Sequence, residues 1–143
     1  MSPTDLGQVI DRYHQAMDSF VKGDPEGVKA LFSHSDDVTL ANPLGPPVRG
    51  WSEVEETMAR ASSVLRDGEV VAIEQVSEFV TADLAYNVEI ERVRAKVSGS
   101  ENASPISLRV TTIFCREDGG WKIIHRHADP ITASRSPESI IEQ

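Results

Sequence analysis

The chain has 143 residues, 39% of them apolar and 26% charged, with a net charge of −9, which allows one packed domain and excludes a disordered polyelectrolyte. Its acidity and scattered Lys and Arg exclude a nucleic-acid partner, whose phosphates need a basic surface. One cysteine, Cys115, leaves no intramolecular disulfide or cysteine zinc site, and the polar start and short apolar runs predict a cytoplasmic chain without a membrane partner.

The opening SPTDLGQVIDRYHQAMDSFVKGD predicts a long helix, with Leu6, Val9, Ile10, Tyr13, Met17, Phe20 and Val21 at helical spacing. Ser2 or Thr4 can cap it and Gly23 stops it. DPEGVKALFS predicts a short second helix, with Asp24 as N-cap and Pro25 at its first position. DDVTLANP alternates Val38, Leu40 and Asn42 on one face and predicts a strand ended by Pro43. LGPPVRG is expected to be a loop without regular structure. WSEVEETMARASSVL predicts a third helix, capped by Ser52 with Glu55 closing a capping box.

From Glu69 the period changes to that of strands. EVVAIEQVSEFV and LAYNVEIERVRAK flank a turn at Ala82–Asp83; ISLRVTTIFCR and WKIIHRHA flank EDGG. The fold class is therefore α+β, an antiparallel sheet with helices on one face. Residues 1–131 are expected to form the single domain and 132–143 a loosely attached tail.

A bulge-free turn at Asp118–Gly119 pairs Phe114 with Ile123, Thr112 with His125 and Val110 with His127. One face of this hairpin then carries Thr112, Phe114, Trp121, Ile123, His125, His127 and Asp129, and its aromatic load turns it toward the helices. Lys122 and Arg126 face out, as does Cys115. In the central hairpin, pattern alone buries the Tyr86 face. The opposite choice buries Asn87 and Glu89, which is costly unless they are paired or functional.

Taken in order, GDPEGVKALF, DDVTLANPLGPPVRGWSEV, DLAYNVEIER and TTIFCREDGGWKIIHRHAD resemble the SnoaL-like and ketosteroid-isomerase-like domains of the nuclear transport factor 2-like superfamily. The resemblance implies a cone, a curved antiparallel sheet (the cystatin-like roll) wrapped around the first helix and enclosing an apolar pocket. It also implies homodimers that pack through the outer face of the sheet. It turns Asn87, Glu89 and Glu91 into the cone and leaves Val88 and Ile90 outside, against the pattern reading. The superfamily hosts isomerases, cyclases, dehydratases, epoxide hydrolases and silent binding or assembly domains, so the fold alone does not select a function.

Three readings of His125 and His127 follow: a hydrogen-bonded core pair, two metal ligands with Asp129 or Glu89 as a third, or groups that handle protons. Such pockets are usually metal-free in the superfamily, so no metal is expected. The favoured catalytic set is His125 with Glu89 or Asp129 orienting it or sharing its proton. Tyr13, Asn42, Asn87, Thr112 and His127 would contact polar atoms, while Met17, Trp51, Met58 and Phe114 would shape the wall or simply be core. Trp51 could equally be a lid, and His14 and His34 are expected at the surface without a role. The expected ligand is a small, largely apolar carbonyl compound, and the expected chemistry is cofactor-free proton transfer in an isomerase, cyclase or dehydratase. The Asp base and oxyanion pair of steroid isomerases have no match here; Asn42 ends the first strand. The competing reading is a non-catalytic ligand-binding or dimerisation module.

Overall fold

In the computed structural model, which describes residues 4–142, the helical spacing of the first segment becomes helix α1 (Thr4–Phe20), with Leu6, Val9, Ile10, Tyr13 and Met17 buried along one stripe. Gly23, at φ +101°, makes the left-handed turn that ends it. The cap expected at Ser2 or the Thr4 side chain lies outside the described residues. In helix α2 (Glu26–Leu31), Pro25 takes the cap position expected of Asp24, and Asp24 Oδ1 instead accepts the Glu26 N–H at 3.0 Å.

Strand β1 (Thr39–Ala41) is joined by β2 (Val48–Arg49), so the segment expected to lack regular structure folds back, with Val48 opposite Leu40. Its prolines precede the paired residues and remove no ladder donor. Helix α3 (Trp51–Ser63) starts from Gly50, at φ +89°, and not from a Ser52 cap. Ser52 sits two positions past the cap, already inside the helix, and Glu55 reaches across to Lys29 Nζ at 3.1 Å instead of closing a capping box.

Strands β3 (Leu65–Val80), β4 (Leu84–Val97), β5 (Ser104–Glu117) and β6 (Gly120–Asp129) complete a six-stranded sheet ordered β2-β1-β6-β5-β4-β3. The junction of β1 with β6 is parallel, so the sheet is not wholly antiparallel as expected. The three helices lie against the concave face of this curved, unclosed sheet, as the cone reading required. Three register shifts bend β3, and a fourth lies between β5 and β6; each adds local twist.

Where β3 crosses the end of α1, the Gly68 N–H donates to the Val21 carbonyl at 3.1 Å. A Cβ at Gly68 would collide with Val21 and with the Arg94 carbonyl, so the crossing requires glycine. Asp18 Oδ1 accepts the Val70 N–H at 2.9 Å and ties the same strand to α1. Lys22, then that backbone bond, hold the Asp18 carboxyl below its ordinary value.

The cone is packed solid toward α2, where Tyr13, Phe32, Phe114, Trp121 and Ile123 are buried together. It is hollow at the other end.

Candidate active site

The hollow end holds a cavity of about 440 Å³ between the C-terminal part of α1, helix α3 and the inner faces of β4 to β6, a size suited to a compact organic molecule. Its wall is aliphatic and aromatic, with Met17, Phe20, Met58 and Val93 among the lining residues. Among the described residues, two of its lining side chains are charged, Glu91 and Arg126.

The local sequence explains how both arrive there. Along β6, Trp121 and Ile123 face inward as the alternation requires, with Phe114 opposite Ile123. The next pairing is Ile113 with His125, so Ile124 has no partner of its own. This bulge reverses the parity of the rest of the strand. Arg126 and Ala128 turn inward, paired with Thr112 and Val110, while His125 and His127 turn outward. The expectation of two inward imidazoles and an outward Arg126 is thereby corrected.

On β4 the alternation is unbroken, and the orientation implied by the resemblance holds. Ala85, Asn87, Glu89, Glu91 and Val93 are buried; Tyr86, Val88 and Ile90 are not. The turn pairs Val80 with Ala85 and Glu78 with Asn87 as expected, but a bulge at Val76 then places Gln75 opposite Glu89 and Ile73 opposite Glu91.

Glu91 and Arg126 form a two-pronged ion pair, Nη1 to Oε2 at 3.0 Å and Nη2 to Oε1 at 3.1 Å. The Tyr13 hydroxyl lies 3.5 Å from Glu91 Oε2, and the guanidinium sits 5.5 Å from the centre of its ring. Glu89, wholly buried at 0% exposure, lies behind this pair. Its Oε2 accepts from Asn87 Nδ2 at 3.0 Å, and both its oxygens meet His14 Nε2, at 3.0 and 3.1 Å.

Burial, and then the neighbouring Glu89 carboxylate, push the Glu91 carboxyl well up from its ordinary value. Burial also pulls the Arg126 guanidinium down to about 10, which still leaves it charged at neutral pH. The floor is thus a carboxylate of raised proton affinity beside a fixed cation. Such a combination can take a proton and stabilise the negative charge left behind.

The expected site residues divide by place. Met17, Asn42 and Met58 line the cavity. Tyr13, Asn87 and Glu89 lie beneath its floor. Thr112 and Phe114 are buried in the filled part of the cone, where Thr112 Oγ1 and Asn87 Oδ1 meet no hydrogen-bond partner among the described residues. Trp51 is not among the residues that line the cavity; it stacks on His34, ring centres 3.8 Å apart.

His125, His127 and Asp129 stand on the opposite face of the sheet. His125 Nδ1 is 2.7 Å from Thr39 Oγ1, and His127 Nε2 is 3.3 Å from Asp129 Oδ2. Asp129 also accepts from Arg109 Nε at 2.7 Å. Among the described residues no three histidine, cysteine, aspartate or glutamate side chains converge as metal ligands.

Sequence reasoning missed His14, which is no idle surface residue, and Arg126. The doublet Ile123–Ile124, the one break in the alternation of WKIIHRHA, was the available sign of a parity change. His14 carried no local sign, because its partner is 75 positions away.

A SnoaL-like domain model matches residues 6–132. Among curated proteins none matches the chain. Solved structures resemble it over nearly their full lengths. A nuclear transport factor 2-like superfamily protein from Salmonella enterica superposes with a TM-score of 0.75 at 21% identity, covering 94% of each chain. A ketosteroid isomerase-like protein from Erwinia carotovora gives 0.74 at 17% identity, covering 93% of this chain and 100% of that one. A cystatin-like domain of unknown function from Nostoc punctiforme gives 0.69 at 19% identity, covering 97% and 83%. At these identities the likeness is one of fold. Among the described residues no helix is long and apolar enough to cross a membrane.

Proposed function

We propose, from the premise that this chain belongs to the SnoaL-like domain family, that its cavity takes a small, largely apolar carbonyl compound and moves a proton beside the carbonyl. The observation that carries this reading is the isolation of Glu91 and Arg126 as the charged groups, among the described residues, of a largely apolar cavity. Glu91 is the base. Its carboxylate takes the proton from the carbon next to the carbonyl, and the C–H electron pair moves into the enolate. Arg126 spends two N–H groups on Glu91, and its remaining donors face the developing oxyanion. Return of the proton to a different carbon gives isomerisation; loss of a β-hydroxyl as water gives dehydration. Both need side chains alone.

The test is α-proton exchange in D2O with small cyclic ketones, followed by NMR. Exchange in the native protein, reduced about 100-fold or more in Glu91→Gln, supports the base. Undiminished exchange in Glu91→Gln, or none with any ketone that contacts Met17 and Met58, would overturn it.

One observation favours a silent binding module instead. Glu91 and Arg126 satisfy each other, so a ligand could rest on a closed ion pair without reacting. That reading predicts ketone binding with no exchange.

A second copy of the chain is proposed as partner for the outer face. Phe79, Leu84, Tyr86, Val88 and Ile113 line an apolar groove there of about 330 Å³, and Phe79 and Tyr86 stack at 5.7 Å, 55% and 38% exposed. A self-complementary patch of this kind suits a twofold contact. Sedimentation should show a dimer that Tyr86→Glu dissociates; a native monomer at micromolar concentration would refute it.

A further inference from the structure

Glu91 faces the cavity, but Glu89 does not line it, and the mechanism above gives Glu89 no role. Burying a second carboxyl completely, one inward position along the same strand, is expensive unless it is held or used. Its contacts run in one direction. On the cavity side it stands two residues from Glu91 on β4, with both carboxyls on the buried face of the strand. On the far side both its oxygens meet His14 Nε2. The His14 side chain is 25% exposed, so the series starts inside the cavity and ends in water. The other groups around it are Tyr13 from α1, Asn87 from β4 and Arg126 from β6. Asn87 donates to Glu89, the Tyr13 hydroxyl lies against Glu91, and Arg126 fixes Glu91. Among the described residues, none of the three has a further hydrogen bond that would carry a proton onward to solvent.

We infer that Glu91, Glu89 and His14 form a proton outlet through which a cavity blocked by its ligand exchanges protons with bulk water beside α1. The inference rests on Glu91 acting as the base. After Glu91 has taken the substrate proton, that proton passes to one Glu89 oxygen. The proton already shared in the Glu89–His14 hydrogen bond moves fully onto Nε2, and the ring releases one from Nδ1 to water. Glu91 ends as the carboxylate, and the Glu89–His14 pair holds as many protons as before. One proton has crossed the sequence and no further charge is left in the interior. Glu89 and His14 are thus positioning and transfer groups that never touch the substrate.

The outlet makes a difference only if the abstracted proton would otherwise return to its donor. The probe is therefore (R)-2-methyl-1-tetralone in D2O, with racemisation and deuterium incorporation measured on one sample. Each racemisation event by the native protein should bring in one deuteron. His14→Gln keeps a hydrogen-bond donor for Glu89 but cannot carry a proton. It should still racemise the probe, with deuterium incorporation falling severalfold behind racemisation. Added imidazole should restore the native ratio in His14→Ala, which a merely structural histidine would not permit. An unchanged ratio in His14→Gln with racemisation intact would overturn the outlet and leave the base standing. No racemisation by the native protein would overturn the base, and the outlet with it.

Discussion

An arginine–carboxylate pair with one partner on β6 stands on each face of the sheet, and the two behave differently. Inside, Arg126 grips Glu91 with both almost out of solvent; outside, Arg109 grips Asp129 with the arginine side chain 53% exposed. Inside, burial dominates and raises the Glu91 carboxyl. Outside, burial also pushes Asp129 upward, but the Arg109 bond, the Ile131 N–H and the charges of Arg109 and His127 outweigh it, and its value is lowered. Solvent, more than residue type, separates a reactive carboxylate from a clamp.

The strongest way to break the comparison is to delete Ile124. Without the bulged residue, straight pairing would send Arg126 outward and His125 inward, leaving Glu89 and Glu91 buried without their cation. Loss of cooperative unfolding by circular dichroism is expected; a folded deletion variant would show that the bulge does not set the parity.

Arg126→Met comes next. It leaves a buried carboxylate uncompensated, and a loss of about 3–5 kcal/mol in urea unfolding is expected. A loss below about 1 kcal/mol would mean the inner pair is no more valuable than a surface one.

A smaller effect separates the faces by pH. Burial, and then His127, hold the His125 imidazole below its ordinary value of 6.5. The folded chain therefore binds this proton less readily than the unfolded chain. The stability involved is complete above 6.5 and is lost as pH falls through the lowered folded value. Urea midpoints should fall with acidification from 6.5 down to that lowered value more steeply in the native protein than in His125→Gln. Equal slopes would deny any buried character to His125.

The smallest effect is expected for Arg109→Ala. Removing the exposed partner of Asp129 should cost less than about 1 kcal/mol, and less still in high salt. A loss matching that of Arg126→Met would erase the distinction.

Residue spacing revealed the elements but not how they are indexed against each other. The apolar stripe of α1, the turn at Asp118–Gly119 and the inward set Thr112, Phe114, Trp121 and Ile123 were all readable, because each depends on neighbours a few positions apart. The unbroken alternation from Ala85 to Val93 could be read in either sense, and the resemblance to SnoaL-like domains chose the sense that holds. The inward reading of the histidines holds only for a register without a bulge, and the single extra residue at Ile124 inverts every position from His125 onward. A period of two carries no memory beyond a bulge, so the error fell on the residues thought to matter most. The Gly50 start of α3 and the β2 return were hidden differently. Ser52 and Glu55 suggested a local cap, whereas Glu55 pairs with Lys29 on another helix, and local preference yields to such tertiary contacts.

The most direct measurement places the two faces in competition. Native protein, Glu91→Gln and His125→Gln would be compared for α-proton exchange of one cyclic ketone at neutral pH. Exchange retained in His125→Gln and abolished in Glu91→Gln is the expected result. Exchange abolished in His125→Gln but retained in Glu91→Gln would place the chemistry on the other side of the sheet and contradict the assignment of the cavity floor.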